Sequence, residues 1–374
     1  MCGIAGLLGN GSLEDAISMA SAIGHRGPDG SGDFLADVEQ ANGSVAFSHA
    51  RLSIIDLDGS NQPIYSDHGC VLMVNGEIYN HQKIKSTLRD YPFRTAGDSE
   101  VIMALHRKYS WNQNVGKNPA ERHIEWVSKL DGMWGFSLWD PKSKELILCR
   151  DPFGIKPLVR TQLSDGSLLF ASEVKAFRGH TGFSAKPDIS ALSVRLAYEY
   201  PLDQTTLFQG VTSVGIGTIE TWSLVDGKAT LTGVAKYWKP RVIPSENWSP
   251  STNASQLLNS LSDSIQDRLM ADVPVGIVLS GGLDSSLMAA LANDAADSAG
   301  KPTPECWTVA DSEENVDLQA SIMVTKNHDL GHHVHIMDEN TMWKKLPEFV
   351  WNGEDLDITV MFWQSVFQQM KGNV

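Results

Sequence analysis

Cys2 stands where removal of Met1 would leave it first in the chain, and the small side chain at position 2 permits that removal. An N-terminal cysteine carries a thiol nucleophile and a free α-amine on one residue. The amine titrates near ~8, so it can serve as the base for its own thiol. Cys2-Gly3-Ile4 with Gly6 nearby leaves room for a substrate beside the backbone. Arg26-Gly27-Pro28-Asp29-Gly30 is a sharp turn. Arg51 ends a strand in the stretch Ser48–Asp56, where a lone arginine in apolar text either pairs with a core carboxylate or grips a substrate carboxylate bidentately. Asn75-Gly76-Glu77 ends another apolar strand. An Asn amide and a Gly N–H are the donor pair that acyl transfer requires for its oxyanion. Glu77 can take an ammonium group, and Asp98, by default a helix N-cap before Ser99-Glu100-Val101, can join it. Together these residues describe a binder of a zwitterionic amino acid whose side-chain amide meets a thiol, and glutamine fits.

A second constellation lies further on. Val275-Gly276-Ile277-Val278-Leu279 runs into Ser280-Gly281-Gly282-Leu283-Asp284-Ser285-Ser286. Glycines at a strand-to-helix turn let the backbone approach a ligand and leave N–H groups free at a helix N-terminus, an anion cradle suited to pyrophosphate. Asp284 is placed to hold a neutralising Mg²⁺. The spacing is not that of a Walker A loop. The histidines in His332-His333-Val334-His335 read better as polar side chains between a helix and a strand than as metal ligands.

Strands are expected at 2–8, 45–52, 71–74, 134–139, 146–150 and 168–172, with helices over 13–23 (Leu13, Ile17, Ala20 and Ile23 as its apolar stripe) and after Asp98 (Val101, Ile102 and Leu105). Strands with covering helices imply α+β layers. From about 203 to 250 glycines and prolines loosen the text around a short strand at 218–224, which reads as a connector. Beyond it come an amphipathic helix (Leu257, Leu258, Leu261, Ile265 and Leu269), a strand at 275–279 and a helix from Leu287. A strand at 306–309, a helix over 318–325 and a strand near 333–336 complete an alternation that indicates a doubly wound parallel sheet.

A net charge of −15 argues against a nucleic-acid or acidic-membrane surface as main partner. No apolar run is long enough for a transmembrane helix, and the apolar N-terminus lacks the basic leader of a signal peptide. The four cysteines are far apart, which excludes a zinc ribbon and a disulfide framework and favours a reducing cytoplasm. Cys70, Cys149 and Cys306 read as buried small hydrophobes.

Cys2-Gly3-Ile4, the Arg26–Gly30 turn, Arg51–Asp56, Asn75–Asn80, Asp98, Asp151–Leu158 and Phe170–Ala176 resemble, in order, the class II glutamine amidotransferase domain. The resemblance implies an N-terminal-nucleophile hydrolase sandwich (αββα), with Cys2 as nucleophile and Asn75 and Gly76 as the oxyanion pair. It also implies a glutamine pocket of Arg51, Ile54, Ile55, Glu77 and Asp98. Ser280–Ser286 resembles the PP-loop of ATP pyrophosphatases, here in an α/β doubly wound domain. The two in this order resemble glutamine-hydrolysing asparagine synthetases. That implies a glutaminase domain over 2–205, a connector over 206–250 and a synthetase domain over 251–374. It implies ATP held by Val278, Ser280, Gly281, Gly282, Asp284, Ser285 and Val309, with Mg²⁺ at Asp284. Glutamine, aspartate and ATP are the expected small-molecule partners, with a homodimer as the assembly to test. Ammonia from Cys2 would attack β-aspartyl-AMP. Glu354–Thr359 matches an acidic family segment, 111–123 looks like an insertion, and Val159 replaces the family's tyrosine. The family continues past Val374 with a second phosphate turn and a helical remainder, so an incomplete second domain is expected.

Overall fold

The computed structural model describes residues 1–38, 41–110, 118–240, 249–355 and 358–373. Parts of the insertion-like stretch (111–117), the connector (241–248) and the acidic segment (356–357) lie outside these residues. The chain divides into two compact units, 1–241 and 242–374.

The first unit holds two six-stranded antiparallel sheets. One contains β1 (Gly3–Gly9), β2 (Gly30–Val38), β3 (Gly43–Arg51), β8 (Val159–Gln162), β9 (Leu168–Ala171) and β10 (Val211–Ser213), in the order β10-β8-β9-β1-β3-β2. The other contains β4 (Ile64–Tyr65), β5 (Val71–Ile78), β6 (Gly132–Asp140), β7 (Glu145–Arg150), β11 (Thr218–Val225) and β12 (Lys228–Lys236), in the order β12-β11-β7-β6-β5-β4. Ile4, Phe47 and Phe170 of the first sheet meet Met73, Leu148 and Trp222 of the second in a shared core. Helix α1 (Leu13–Ser21) covers the outside of the first sheet against Leu7 and Ala46. Outside the second sheet lie α2 (His81–Thr87), α3 (Glu100–Tyr109) and α4 (Ile124–Val127), packed on Leu72, Val74 and Phe136. The result is the expected αββα layering. Helix α5 (Ile189–Tyr198) follows, capped by the Asp188 carboxylate.

Several expectations are corrected. The first thirty residues of the supposed connector supply β10, β11 and β12, because Ile219, Trp222 and Ala229 have sheet cores to enter. The buried stripe of α1 is Ala16, Met19 and Ala20 followed by Ile23, while Ile17 is exposed. A capping box, in which Ser12 and Asp15 exchange hydrogen bonds, sets where that helix starts. Helix α3 is buried on every side from Glu100 to His106 rather than along one stripe.

The second unit alternates helix and strand: α6 (Pro250–Arg268), β13 (Gly276–Val278), α7 (Leu283–Ser298), β14 (Glu305–Ala310), α8 (Val316–His328), β15 (His332–Ile336), α9 (Glu339–Gly353) and α10 (Ile358–Met370). The three strands are parallel in the order β13-β14-β15. Helix α7 starts at Leu283, four residues before the expected start, so Asp284 and Ser285 lie in its first turn. Helix α6 buries only Ile265, followed by Leu269, and leaves Leu257 and Leu258 exposed.

Candidate active site

The two-residue period of strands decides what meets across the first unit. Ile4 and Leu8 of β1 face the other sheet, so Cys2, at the same parity, faces it too. Val45 and Phe47 of β3 face inward, which puts His49 and Arg51 on that side. Val71 and Met73 of β5 do the same, which brings Asn75 and Glu77 to the facing surface. The expected nucleophile and its polar partners therefore converge between the sheets, at the end where β1 begins and β3 and β5 finish.

The Cys2 sulphur receives the Leu52 N–H at 3.4 Å and lies 3.6 Å from the Leu52 carbonyl. Burial pushes its thiol up from the usual value. Asn75 is completely buried, and among the described residues neither its Nδ2 nor its Oδ1 has a hydrogen-bond partner. Such groups are costly unless something fills them. On the free edge of β5, Gln62 Oε1 receives the Val74 N–H at 2.6 Å and Asp98 Oδ2 receives the Ile78 N–H at 2.6 Å. By antiparallel alternation the Gly76 N–H faces the same edge between them. Gly76 must be glycine, since a Cβ would stand 2.3 Å from the Met133 carbonyl oxygen.

Asp98 is not the side-chain cap it resembled. Its carboxylate reaches the end of β5, and Ser99 precedes α3 without a side-chain cap. The preceding loop is held from three sides. Lys85 Nζ donates to the carbonyls of Thr95, Ala96 and Gly97 at 3.1, 2.9 and 2.7 Å. Asp56 accepts from the Ala96 and Gly97 N–H groups, and Glu100 from Arg94 and Thr95. Burial raises the Glu77 carboxyl, and the neighbouring Asp98 carboxylate raises it further; Asp98 is itself raised by burial.

Arg51 is buried, and three of its N–H bonds go to its own loop. They reach the Leu57 carbonyl at 2.7 Å, Asn61 Oδ1 at 3.2 Å and the Asp56 carbonyl at 2.8 Å. It braces the loop that carries half-buried Ile54 and Ile55, and among the described residues two of a guanidinium's five N–H bonds are given no partner. The Arg26–Gly30 turn is stitched to that loop: the Asp29 N–H donates to the Arg51 carbonyl at 3.0 Å, and Asp29 Oδ2 accepts from the Ser53 N–H at 2.8 Å. Arg26 pairs with Glu173, which also takes His25 and Lys175.

Lys156 received no role from its sequence. The buried Asp151 carboxylate gathers the N–H groups of Phe153, Ile155 and Lys156 at 2.9–3.0 Å, and this wraps the turn that carries it. The Lys156 ammonium is buried beside Glu77 and Cys2, and burial lowers its pKa. A lysine inside the apolar Phe153–Leu158 text was the available signal.

In the second unit, a cavity of about 540 Å³ is lined by Ser280, Val309, Asp311, Asn315, Asp317 and Glu339, among others. Of the expected ATP residues it contains Ser280 and Val309. Val278 ends β13, Gly281 and Gly282 form the adjoining turn, and Asp284 and Ser285 open α7, with Asp284 exposed. Gly281 has φ +77°, and a Cβ there would stand 2.5 Å from the Asp317 carbonyl oxygen. Ser280 and Ser285 hydroxyls meet at 2.9 Å, and the Gly282 N–H donates to Ser280 Oγ at 3.3 Å. Asp317, in the first turn of α8, belongs to the Asp317-Leu318 pair that the family resemblance covers, whereas Asp311, directly after β14, and Asn315, the cap of α8, carried no sequence expectation. The three histidines go to separate partners: His332 to Thr308 at 2.8 Å, His333 to Glu305 at 2.5 Å and His335 to Gln369 at 2.6 Å.

Residues 1–238 match the glutamine amidotransferase domain family, and residues 256–366 match the family described as asparagine synthase. A putative glutamine-hydrolysing asparagine synthetase of Mycobacterium bovis is 31% identical over 94% of this chain and 54% of its own length. Amidase chry2 of Gibberella zeae is 30% identical over 91% of this chain and 50% of its own. The chain thus spans about half the length of these curated relatives. A glutamine phosphoribosylpyrophosphate amidotransferase of B. subtilis superposes with a TM-score of 0.45 at 16% identity, over 92% of this chain and 70% of that one. The chain belongs to the glutamine amidotransferase domain family, and the stretch that matches the asparagine synthase family lies behind that domain.

Proposed function

We propose that the first unit hydrolyses glutamine at Cys2 and that the second uses the released ammonia to amidate an ATP-activated carboxylate, aspartate becoming asparagine. The observation that carries the first half is the buried Asn75 amide, without a partner among the described residues, on the strand face turned toward Cys2. The α-amine exposed by loss of Met1 takes the thiol proton, and the thiolate attacks the side-chain amide carbon. Asn75 Nδ2 and the Gly76 N–H receive the developing oxyanion. Glu77 and Asp98 hold the substrate ammonium, Arg51 its carboxylate, and Ile54 and Ile55 flank it. The site's surroundings favour a neutral amine. Burial, joined by Lys156 and Arg26, lowers even the Met1 amine to about 6.

The residues of the second unit fit a nucleotide. The Ser280–Ser286 turn is glycine-shaped, and among the described residues the buried Ser286 hydroxyl has no partner. ATP would sit against Val278, Ser280, Gly281, Gly282, Ser285 and Val309, with Mg²⁺ at Asp284, and would supply activation of the acceptor carboxylate. Its cavity adds Asp311 and Asp317 as further acids. A second reading changes only the acceptor, because amidase chry2 matches 91% of the chain, close to the 94% that the Mycobacterium bovis synthetase matches.

The test is ammonia release from glutamine by the chain with Met1 removed. Cys2→Ala is expected to abolish it, and wild-type release by Cys2→Ala would sink the assignment. Aspartate and competing carboxylates, supplied with ATP and ammonia, then identify the acceptor.

A further inference from the structure

At the opposite end of β5 from Asn75 lies a polar cluster that the glutaminase chemistry does not use. Cys70 directly precedes β5, and Asp140 is the last residue of β6. The register Val71↔Trp139 places the two side by side. His106 comes down onto them from α3. Cys70, His106 and Asp140 are 1–2% exposed, and one donor atom from each lies within 4.8 Å of the others. We infer that Cys70 Sγ, His106 Nε2 and Asp140 Oδ2 bind a divalent transition metal, zinc by their chemistry.

Geometry is the first argument. His106 Nε2 stands 3.6 Å from Asp140 Oδ2. That exceeds a good hydrogen bond, and it matches the edge of a tetrahedron with ~2.0–2.3 Å metal bonds, roughly 3.3–3.8 Å. Donor type is the second. A thiolate, an imidazole and a carboxylate are a zinc set, whereas Mg²⁺ and Ca²⁺ prefer oxygen alone. The Ser66 hydroxyl, in contact with the Cys70 thiol, is the polar group at hand for a fourth position.

Charge is the third argument. Two carboxylates, Asp140 and Glu145, are buried here, and Arg122 pairs with Glu145 while also facing Asp140. His123, which stacks on His106 at 5.8 Å, is engaged by Ser110, Arg122 and Trp126, and Lys142 is exposed. Binding releases the Cys70 proton to solvent. The bound ion then balances two carboxylates and a thiolate together with Arg122. The site ties the β5–β6 edge to α3, about five strand residues, roughly 17 Å, from Asn75. It is independent of the glutaminase reading.

The 374-residue chain in a Cys2→Ser background, which removes the half-buried thiol, is produced in cobalt-supplemented medium. About one cobalt per chain and a sulphur-to-cobalt charge-transfer band are expected. Cys70→Ser and His106→Gln should each lose both, and Cys149→Ser should keep both. A band that survives Cys70→Ser, or less than about a tenth of a metal per chain, overturns the inference. Should Cys70→Ser fail to fold, X-ray absorption on the parent protein decides. One sulphur in the metal's inner shell supports the site, and none overturns it.

Discussion

Replacing Asn75 with alanine separates a catalytic role from a structural one. Both polar atoms of its side chain are buried, and neither has a partner among the described residues. Deleting the side chain therefore strands no other group, which is the expensive part of losing a buried hydrogen bond. The stability change should stay within about 1 kcal/mol, the effect of a few lost atoms set against removal of an unsatisfied amide. The chemistry should suffer far more. Removing one preorganised oxyanion donor typically costs 10²–10³ in kcat, about 2.7–4 kcal/mol, and the Gly76 N–H left behind accounts for the residual rate. The assay is steady-state glutaminase activity, by coupled ammonia detection, on Met1-processed protein, with thermal melts in parallel. A fall in kcat of at least a hundredfold, with KM little changed and Tm nearly unmoved, is the expected result. A rise in KM with kcat within tenfold of wild type would assign Asn75 to ground-state binding and refute the argument. So would a collapse in Tm, since it would mean the amide supports the fold.

Other perturbations follow from the same geometry. The Glu77 carboxyl is raised in the fold by burial and Asp98, so the folded state holds its proton longer than the unfolded chain, and stability falls as pH rises through the folded value. Glu77→Gln should thus raise Tm at pH 8 but not near pH 4 while weakening glutamine KM, and a lower Tm at pH 8 would contradict this. Glu173 is held down to about 2 because His25, Arg26 and Lys175 outweigh its burial. Its contribution, roughly 3 kcal/mol at neutral pH, should be complete above ~4.5 and lost as pH falls toward ~2, so Glu173→Gln should match wild-type stability only at the acid end of a denaturation series. Gly281→Ala must fit a Cβ at φ +77° against the Asp317 carbonyl; it should abolish nucleotide binding measured by calorimetry while leaving ammonia release intact. Lys156→Met removes the buried cation beside Cys2 and Glu77 and should move the pH profile of kcat/KM upward, and an unmoved profile would deny it an electrostatic role.

How much of this was legible depended on whether the signal was local. The β1, β3 and β5 strands announced themselves by apolar runs, and strand parity alone sends Cys2, Arg51, Asn75 and Glu77 to one inter-sheet face. What no local pattern carries is the partner a side chain finds forty residues away. Asp98 reads as a helix cap because caps are local, but it is drawn to the end of β5 by a loop fastened through Asp56, Lys85 and Glu100. Arg51 reads as a free substrate clamp, but most of its hydrogen bonds shape the loop that would enclose the substrate. Lys156 depends on Asp151 folding a turn about its own carboxylate, which only coordinates reveal. Helix α1 shows the same limit in miniature. A 3.6-residue period fits both Ile17 and Met19, and only the sheet beneath selects the face with Met19.

The second unit inverts this relation. Its Ser280–Gly282 turn is fixed by sequence to the residue, because φ +77° and a 2.5 Å approach admit only glycine at 281. The surrounding helices were harder to read. A parallel sheet is buried by its crossovers, so its strands show unbroken apolar runs while its helices need apolar surface only where they touch it. That is why β13 and β14 were placed within two residues, yet the long apolar stripe of α6 packs only at its C-terminal turns, and Leu257 and Leu258 meet none of the described core. The start of α7 was set late for a related reason. Leu283 is largely exposed, so no buried periodicity marks it, and the helix begins instead where the Ser280 and Ser285 hydroxyls close the turn. That closure puts Asp284 in the first helical turn, beside backbone N–H groups that favour anions. The same residue that could hold Mg²⁺ is thereby also a helix-stabilising acid, and only a metal-dependent loss of ATP affinity in Asp284→Asn, with α7 intact by circular dichroism, separates the two roles.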